Sequence, residues 1–143
     1  MTTIDLQVTI HASLFDVFNA VVDYESYPQW QPHVHLAKVT DAKPFRTGSM
    51  VYLEKQFGLT RIFVNADVTE LQRNKLIEIK GVHGRLRFRR QIEFSSTGRE
   101  TIIRDKVTFA TAWFHFWYTP ILTATMRSQM KREWELLRRK LTP

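Results

Sequence analysis

Arg90 and Asp105 are the residues of this chain most suited to polar chemistry in an apolar setting. Each lies in an alternating run: Leu86, Phe88, Arg90 and Ile92 share one side of an extended segment, and Ile103, Asp105, Val107 and Phe109 share one side of another. With Thr97-Gly98 as a two-residue hairpin loop, Arg90 faces Asp105, Phe88 faces Val107, Ile92 faces Ile103 and Leu86 faces Phe109. A charged pair among such neighbours is costly to desolvate without a compensating role. Three readings stay open. The pair anchors a ligand's carbonyl, hydroxyl or carboxylate inside a cavity; it satisfies only itself; or the register is displaced by one residue and both side chains meet water.

Other reactive groups are sparse. His33 and His35 are two apart, but a metal site needs a third ligand and none is apparent. His11, His83 and His115 are scattered, no Ser/His/Asp arrangement stands out, and the chain has no cysteine. There is no Gly-rich phosphate loop and no carboxylate pair placed for acid–base work. No catalytic residue is therefore assigned and no metal or cofactor is expected. Any catalysis would rest on Arg90, Asp105 or tyrosines such as Tyr52 and Tyr118.

Apolar candidates are more numerous. Trp113 and Tyr118 bound a dense aromatic run, Trp113-Phe114-His115-Phe116-Trp117-Tyr118. Such a run closes a cavity, lies at a bilayer interface or packs a strand-to-helix corner. Met126 and Met130, one helical turn apart, suit an adaptable apolar wall or ordinary core. Trp30 sits in the turn Tyr27-Pro28-Gln29-Trp30-Gln31-Pro32, as cavity wall or as core.

The elements that must position these residues are legible from periodicity. Ile4, Leu6, Val8 and Ile10 alternate with polar residues as a half-buried strand does. Ser13 then caps a helix, with Asp16 in its first turn and Leu14, Val17, Phe18 and Val21 on one face. Pro28 and Pro32 allow at most a short second helix between Tyr24 and Trp30. From Val34 to Thr111 the chain alternates and turns at Lys43-Pro44, Gly58-Leu59, Arg73-Asn74, His83-Gly84 and Thr97-Gly98.

Taking the last four turns as two-residue loops fixes further pairs: Ile62 with Lys55, Val64 with Leu53, Val68 with Ile79, Ala66 with Gly81, Ile79 with Phe88 and Ile77 with Arg90. One continuous apolar face emerges across five strands. The opposite face is charged, with Asp67, Lys80 and Arg87 aligned and Glu78, Arg89 and Lys106 beside them, as a solvated ladder. Thr119-Pro120 opens a last helix running to about Leu141. Its stripe is Leu122, Met126, Met130, Trp134, Leu137 and Leu141.

At 143 residues, 43% of them hydrophobic, the chain is one domain, residues 1–143, with enough material for a single core. The absence of cysteine fits a reducing compartment, the start lacks signal-peptide features, and no apolar run is long enough to span a membrane. The expected location is the cytoplasm. A formal charge of +7 favours solubility or an anionic partner.

The order strand, short helices, six more strands and a long C-terminal helix resembles the START-like superfamily (SRPBCC, the birch-pollen-allergen or helix-grip fold), as does the opening Ile10-His11-Ala12-Ser13-Leu14-Phe15-Asp16-Val17-Phe18 with its aromatic-proline turn. The resemblance spans essentially the whole chain. It implies an α+β fold, a curved seven-stranded antiparallel sheet wrapped around the last helix, with an apolar ligand held between them.

The expected function is binding or carrying a lipid, isoprenoid or polyketide-like molecule. The expected ligand residues are Trp30, Ile79, Leu86, Phe88, Arg90, Asp105, Val107, Phe109, Trp113, Tyr118, Met126 and Met130. Relatives of the polyketide cyclase/dehydrase type imply an enzyme as the alternative, with Arg90 polarising a carbonyl and Asp105 orienting it or accepting a proton. A third reading, kept open by resemblance to coenzyme Q-binding relatives, is a basic module on a ribosome or an anionic membrane, through Arg127, Lys131, Arg132, Arg138, Arg139 and Lys140. No DNA partner is expected.

Overall fold

A computed structural model describes residues 2–40, 45–57, 59–83, 86–110 and 119–142. Strand β1 (Thr2–Ile10) leads to helix α1 (Leu14–Val22), a 3-10 turn (Tyr24–Ser26) and the four-residue helix α2 (Tyr27–Trp30). Strands β2 (Val34–Val39), β3 (Met50–Phe57), β4 (Thr60–Gln72), β5 (Leu76–His83), β6 (Leu86–Thr97) and β7 (Glu100–Ala110) follow, and helix α3 (Thr119–Leu141) ends the chain. The strands form one antiparallel sheet in the order β1-β7-β6-β5-β4-β3-β2. This is the helix-grip arrangement expected from the sequence. The Lys43-Pro44 turn and the aromatic run with Trp113 and Tyr118 lie outside the described residues.

Local chemistry sets the helices. Ser13 Oγ accepts from Asp16 N at 3.1 Å, satisfying an otherwise orphaned donor of α1. Val17, Phe18 and Val21 are buried, and Phe18 meets Phe94 of β6 edge to face at 5.1 Å. On α3 the buried residues are Met130, Glu133, Trp134 and Leu137, while Leu122, Met126 and Leu141 are half-buried. One core cluster lies between α1, α3 and the sheet; a second joins Ile4, Leu6, Val107, Phe109 and Met130.

The strand register corrects the sequence reading at two turns. Thr97 pairs with Glu100 and His83 with Leu86, one residue later than assumed. Gly98, at φ 66°, thus occupies the first loop position, where type II′ hairpins take glycine. Each partner moves by two residues, so Arg90 faces Val107 and Ile79, Asp105 faces Ile92, Phe88 faces Phe109 and Gly81, and Ile77 faces Ile92. Because side chains alternate with period two, every residue stays on its face.

On the outer face the ladders become Asp67–Lys80–Arg89 and Glu78–Gln91–Lys106. Glu78 is buried there, accepting from Thr69 Oγ1 at 2.8 Å and Gln91 Nε2 at 2.5 Å. The Gly58-Leu59 register stands, with Ile62 opposite Lys55 and Val64 opposite Leu53. Val68–Ile79 and Ala66–Gly81 also stand, but the β4–β5 loop is one residue longer, Gln72 pairing with Leu76, and a bulge between Val68 and Glu70 absorbs the difference.

Gly81 is a point of close approach. A Cβ there would stand 2.6 Å from the Asn65 carbonyl oxygen and 2.8 Å from Phe88 Cζ, so the Phe88 ring lies against bare backbone. Gly81→Ala is expected to cost about 1–3 kcal/mol through overpacking. A urea-unfolding midpoint equal to that of the parent would show instead that the ring can give way.

Candidate functional site

Between the concave face of the sheet, α2 and α3 lies an apolar cavity of about 420 Å³. Val51, Leu53, Ile62, Val64, Ala66, Ile79 and Ile92 form its sheet wall, and Leu122, Met126, Met130 and Trp134 its helix wall. Tyr24, Tyr27 and Trp30 line one side, with the Tyr27 ring between the other two, tilted against Tyr24 at 4.9 Å and edge to face with Trp30 at 5.2 Å. The Lys140 ammonium lies 5.3 Å from the centre of the Trp30 ring. Tyr27 is pinned further by its hydroxyl, which donates to the Val21 carbonyl. Burial raises the Tyr24 hydroxyl to about 12, so it stays a neutral donor at ordinary pH.

Among the described lining residues the charged ones are Lys55, Arg90 and Glu133. Arg90 Nε and one terminal nitrogen donate to the two carboxylate oxygens of Asp105 at 2.9 and 2.6 Å. Trp134 Nε1 donates to the same carboxylate at 2.8 Å, and Asp105 is fully buried. Arg90 also reaches Glu133 at 3.4 Å, Lys55 Nζ lies 3.7 Å from Glu133, and His33 Nε2 lies 3.3 Å from it. One carboxylate of α3 therefore serves three nitrogen groups from β3, β6 and the segment before β2.

The electrostatics follow from that sharing. Burial works to raise the Glu133 carboxyl, but Lys55, the His33 hydrogen bond and Arg90 outweigh it and bring the group down to about 2. Burial opposes the Arg90 charge too, yet Asp105 and then Glu133 hold it well above its ordinary range. For Lys55 the balance goes the other way: burial lowers its amine, and Glu133 only partly offsets this.

Of the residues singled out from the sequence, Trp30, Ile79, Leu86, Phe88, Arg90, Val107, Met126 and Met130 line the cavity. Asp105 and Phe109 do not; Asp105 stands behind Arg90, and Phe109 is packed in the second core cluster. Asp105 is thus a partner of Arg90 and Trp134 with no place in the cavity wall. Trp113 and Tyr118 lie outside the described residues.

Sequence reasoning missed Lys55 and Glu133, and weighed His33 only as a metal ligand. Signals for the first two were present: Lys55 shares the parity of Val51, Leu53 and Phe57, and Glu133 stands three and four residues from Met130 and Leu137. Among the described residues no cluster of three His, Asp or Glu side chains could hold a metal. The basic surface of α3 is also changed, since Glu133 turns inward while Glu135 pairs with Arg138 at 3.2 Å and Arg139 at 3.5 Å.

A curved antiparallel sheet gripping a long helix over a lined cavity defines the class, a helix-grip protein of the START-like kind. Within that class the chain belongs to the polyketide cyclase / dehydrase and lipid transport family, which it matches over residues 1–142. No curated protein matches its sequence. Among solved structures it is similar to a START superfamily protein from Mycobacterium smegmatis, with TM-score 0.84, 13% identity and 97% and 96% of the two chains covered. It is also similar to the Zhui aromatase/cyclase from Streptomyces sp. R1128, with TM-score 0.80, 9% identity and 98% and 93% covered. A third, Ara h 8.0201, gives TM-score 0.71, 14% identity and 95% and 97% covered. At these identities the likeness is one of fold. Among the described residues no helix is long and apolar enough to cross a membrane.

Proposed function

We propose that the cavity binds and carries an apolar small molecule bearing one acceptor group, a carbonyl or carboxylate, which lies against Lys55 and Arg90. The observation that carries this reading is the pairing around Glu133. The strongest hydrogen bonds of Arg90 go to Asp105, whereas the ion-pair partner of Lys55 among the described residues is Glu133 alone, at 3.7 Å and shared. A ligand oxygen among these largely buried nitrogens gains charge-assisted hydrogen bonds. The cavity volume falls within the range of small-molecule sites.

Ring closure of a poly-ketone is the second reading, supported by the family and by a Lys55 amine lowered by burial. It ranks lower. Glu133, at about 2, is a weak base for removing a proton next to a carbonyl, and Asp105 has no surface on the cavity.

The test uses cis-parinaric acid, whose fluorescence rises in apolar sites, beside the corresponding alcohol. Saturable binding of the acid is expected, with Lys55→Met weakening the acid by about tenfold or more and leaving the alcohol within about twofold. An acid bound equally by parent and variant removes Lys55 from the site. Absence of binding by either probe, with nothing apolar extracted from the purified protein, overturns the carrier reading.

A further inference from the structure

Three stretches of the chain contain no acidic residue: those between Glu54 and Asp67, between Glu78 and Glu93, and between Asp105 and Glu133. They hold two, five and four lysines and arginines respectively, eleven of the 21 in the protein. Lys55 and Arg90 of these stretches point into the cavity and Arg89 pairs with Glu78, but the element ends within the stretches meet at one end of the sheet. The β3–β4 hairpin (Phe57 opposite Thr60), the β5–β6 hairpin (His83 opposite Leu86), the end of β7 and the start of α3 all lie there. Gln129 Nε2 of α3 donates to the Gln56 carbonyl at 2.9 Å, tying the helix to the first hairpin.

The same stretches carry most of the exposed large apolar side chains among the described residues. Six large apolar side chains are exposed among the described residues, and four of them, Leu59, Phe63, Val82 and Ile121, belong to this end. Leu59, in the β3–β4 turn, is fully exposed, and Ile121, in the first turn of α3, is 70% exposed. Arg61 and Arg87 stand exposed beside these residues, with no ion-pair partner among the described residues. Phe57, Leu86, Phe88, Leu122 and Met126, cavity lining near this end, are half-buried, although Ile62, Val64 and Val107 beside them are buried.

We propose that this hairpin end docks on an anionic lipid bilayer, with Leu59 and Ile121 entering the acyl boundary and Arg61 and Arg87 meeting lipid phosphates. Exposed aliphatic side chains flanked by unopposed arginines combine the two terms that hold a protein at an interface, apolar burial and attraction to anionic headgroups. A purely charged partner would explain the arginines and leave the four exposed apolar residues without a role. The surface lies beside half-buried cavity lining (Phe57, Leu86, Phe88, Leu122 and Met126), so docking sets the cavity near a reservoir of apolar molecules. The inference stands whichever molecule the cavity holds.

Co-sedimentation with vesicles tests it, using phosphatidylcholine alone against phosphatidylcholine mixed with phosphatidylglycerol. Binding is expected to the anionic vesicles only and to fall steeply with added salt. Arg61→Gln with Arg87→Gln should weaken it by about 25-fold, roughly fivefold per charge removed. Leu59→Trp should add fluorescence that brominated acyl chains quench beyond the quenching of the parent's four tryptophans, whereas Met50→Trp, exposed at the opposite end of the sheet, should add none that is quenched. Equal binding to both vesicle types, or none to either, overturns the proposal. Salt-sensitive retention on heparin without vesicle binding also overturns it, in favour of a soluble polyanion.

Discussion

Asp105→Ala is expected to lower stability by about 3–5 kcal/mol, the range seen when one partner of a buried ion pair is removed. The side chain is fully buried and accepts two hydrogen bonds from Arg90 and one from Trp134 Nε1. Alanine leaves the Trp134 indole donor unpaired and leaves Arg90 only its longer, 3.4 Å contact with Glu133, and the guanidinium is the costlier of the two because it is charged. Thermal unfolding should fall by on the order of 10–20 °C. Asp105→Asn keeps an acceptor for Trp134 but loses the charge facing Arg90, and it should fall between the parent and alanine. Asp105→Leu combined with Arg90→Met removes both charges and should recover much of the loss. A drop of only a few degrees for alanine would mean that water reaches Arg90 and replaces the carboxylate. Arg90→Leu alone, by the same logic, strands Asp105 and disturbs the fold as well as the cavity.

The sequence made the sheet legible because several independent features agree. Alternation in β1, β4 and β7, the Ser13 cap, and the Thr119-Pro120 start of α3 each dictate one element. The register was harder to read. A hairpin loop of fixed length can centre on either side of its glycine, and the choice moves Arg90 from facing Asp105 to facing Val107. Side-chain parity survives that shift, which is why Arg90 and Asp105 remain together on the inner face and meet diagonally.

Lys55 and Glu133 were hidden for another reason. A charged residue inside an amphipathic pattern reads as its solvated face, and the reading changes only when a counter-charge is found from another element. Their partners lie far off in sequence: β3 and β6 supply cations to a carboxylate on α3, a meeting that only tertiary structure reveals. The apolar wall, by contrast, follows from period and parity, so most of the expected lining residues do border the cavity.

Glu133 should also make stability depend on acid in a window that can be calculated. Its folded value of about 2 lies below the ordinary 4.5, so the unfolded chain binds the proton more readily than the folded one. The stabilisation is therefore complete above about pH 4.5 and is lost as pH falls toward 2. That difference corresponds to roughly 3 kcal/mol.

Glu133→Gln removes the titrating group. Its stability should lie roughly 3 kcal/mol below the parent at neutral pH, and the two curves should converge in acid. A gap that stays constant down to pH 2 would place the cost in packing. Neutral pH offers an independent check. With Glu133 gone, Lys55 is a buried ammonium without its counter-ion. Adding Lys55→Met to Glu133→Gln should therefore restore stability, although Lys55→Met alone lowers it, because a buried charge costs most when it is left unpaired. Additive losses in the double variant would show that water, not Glu133, neutralises Lys55, and the cluster would then offer a ligand oxygen much less than proposed.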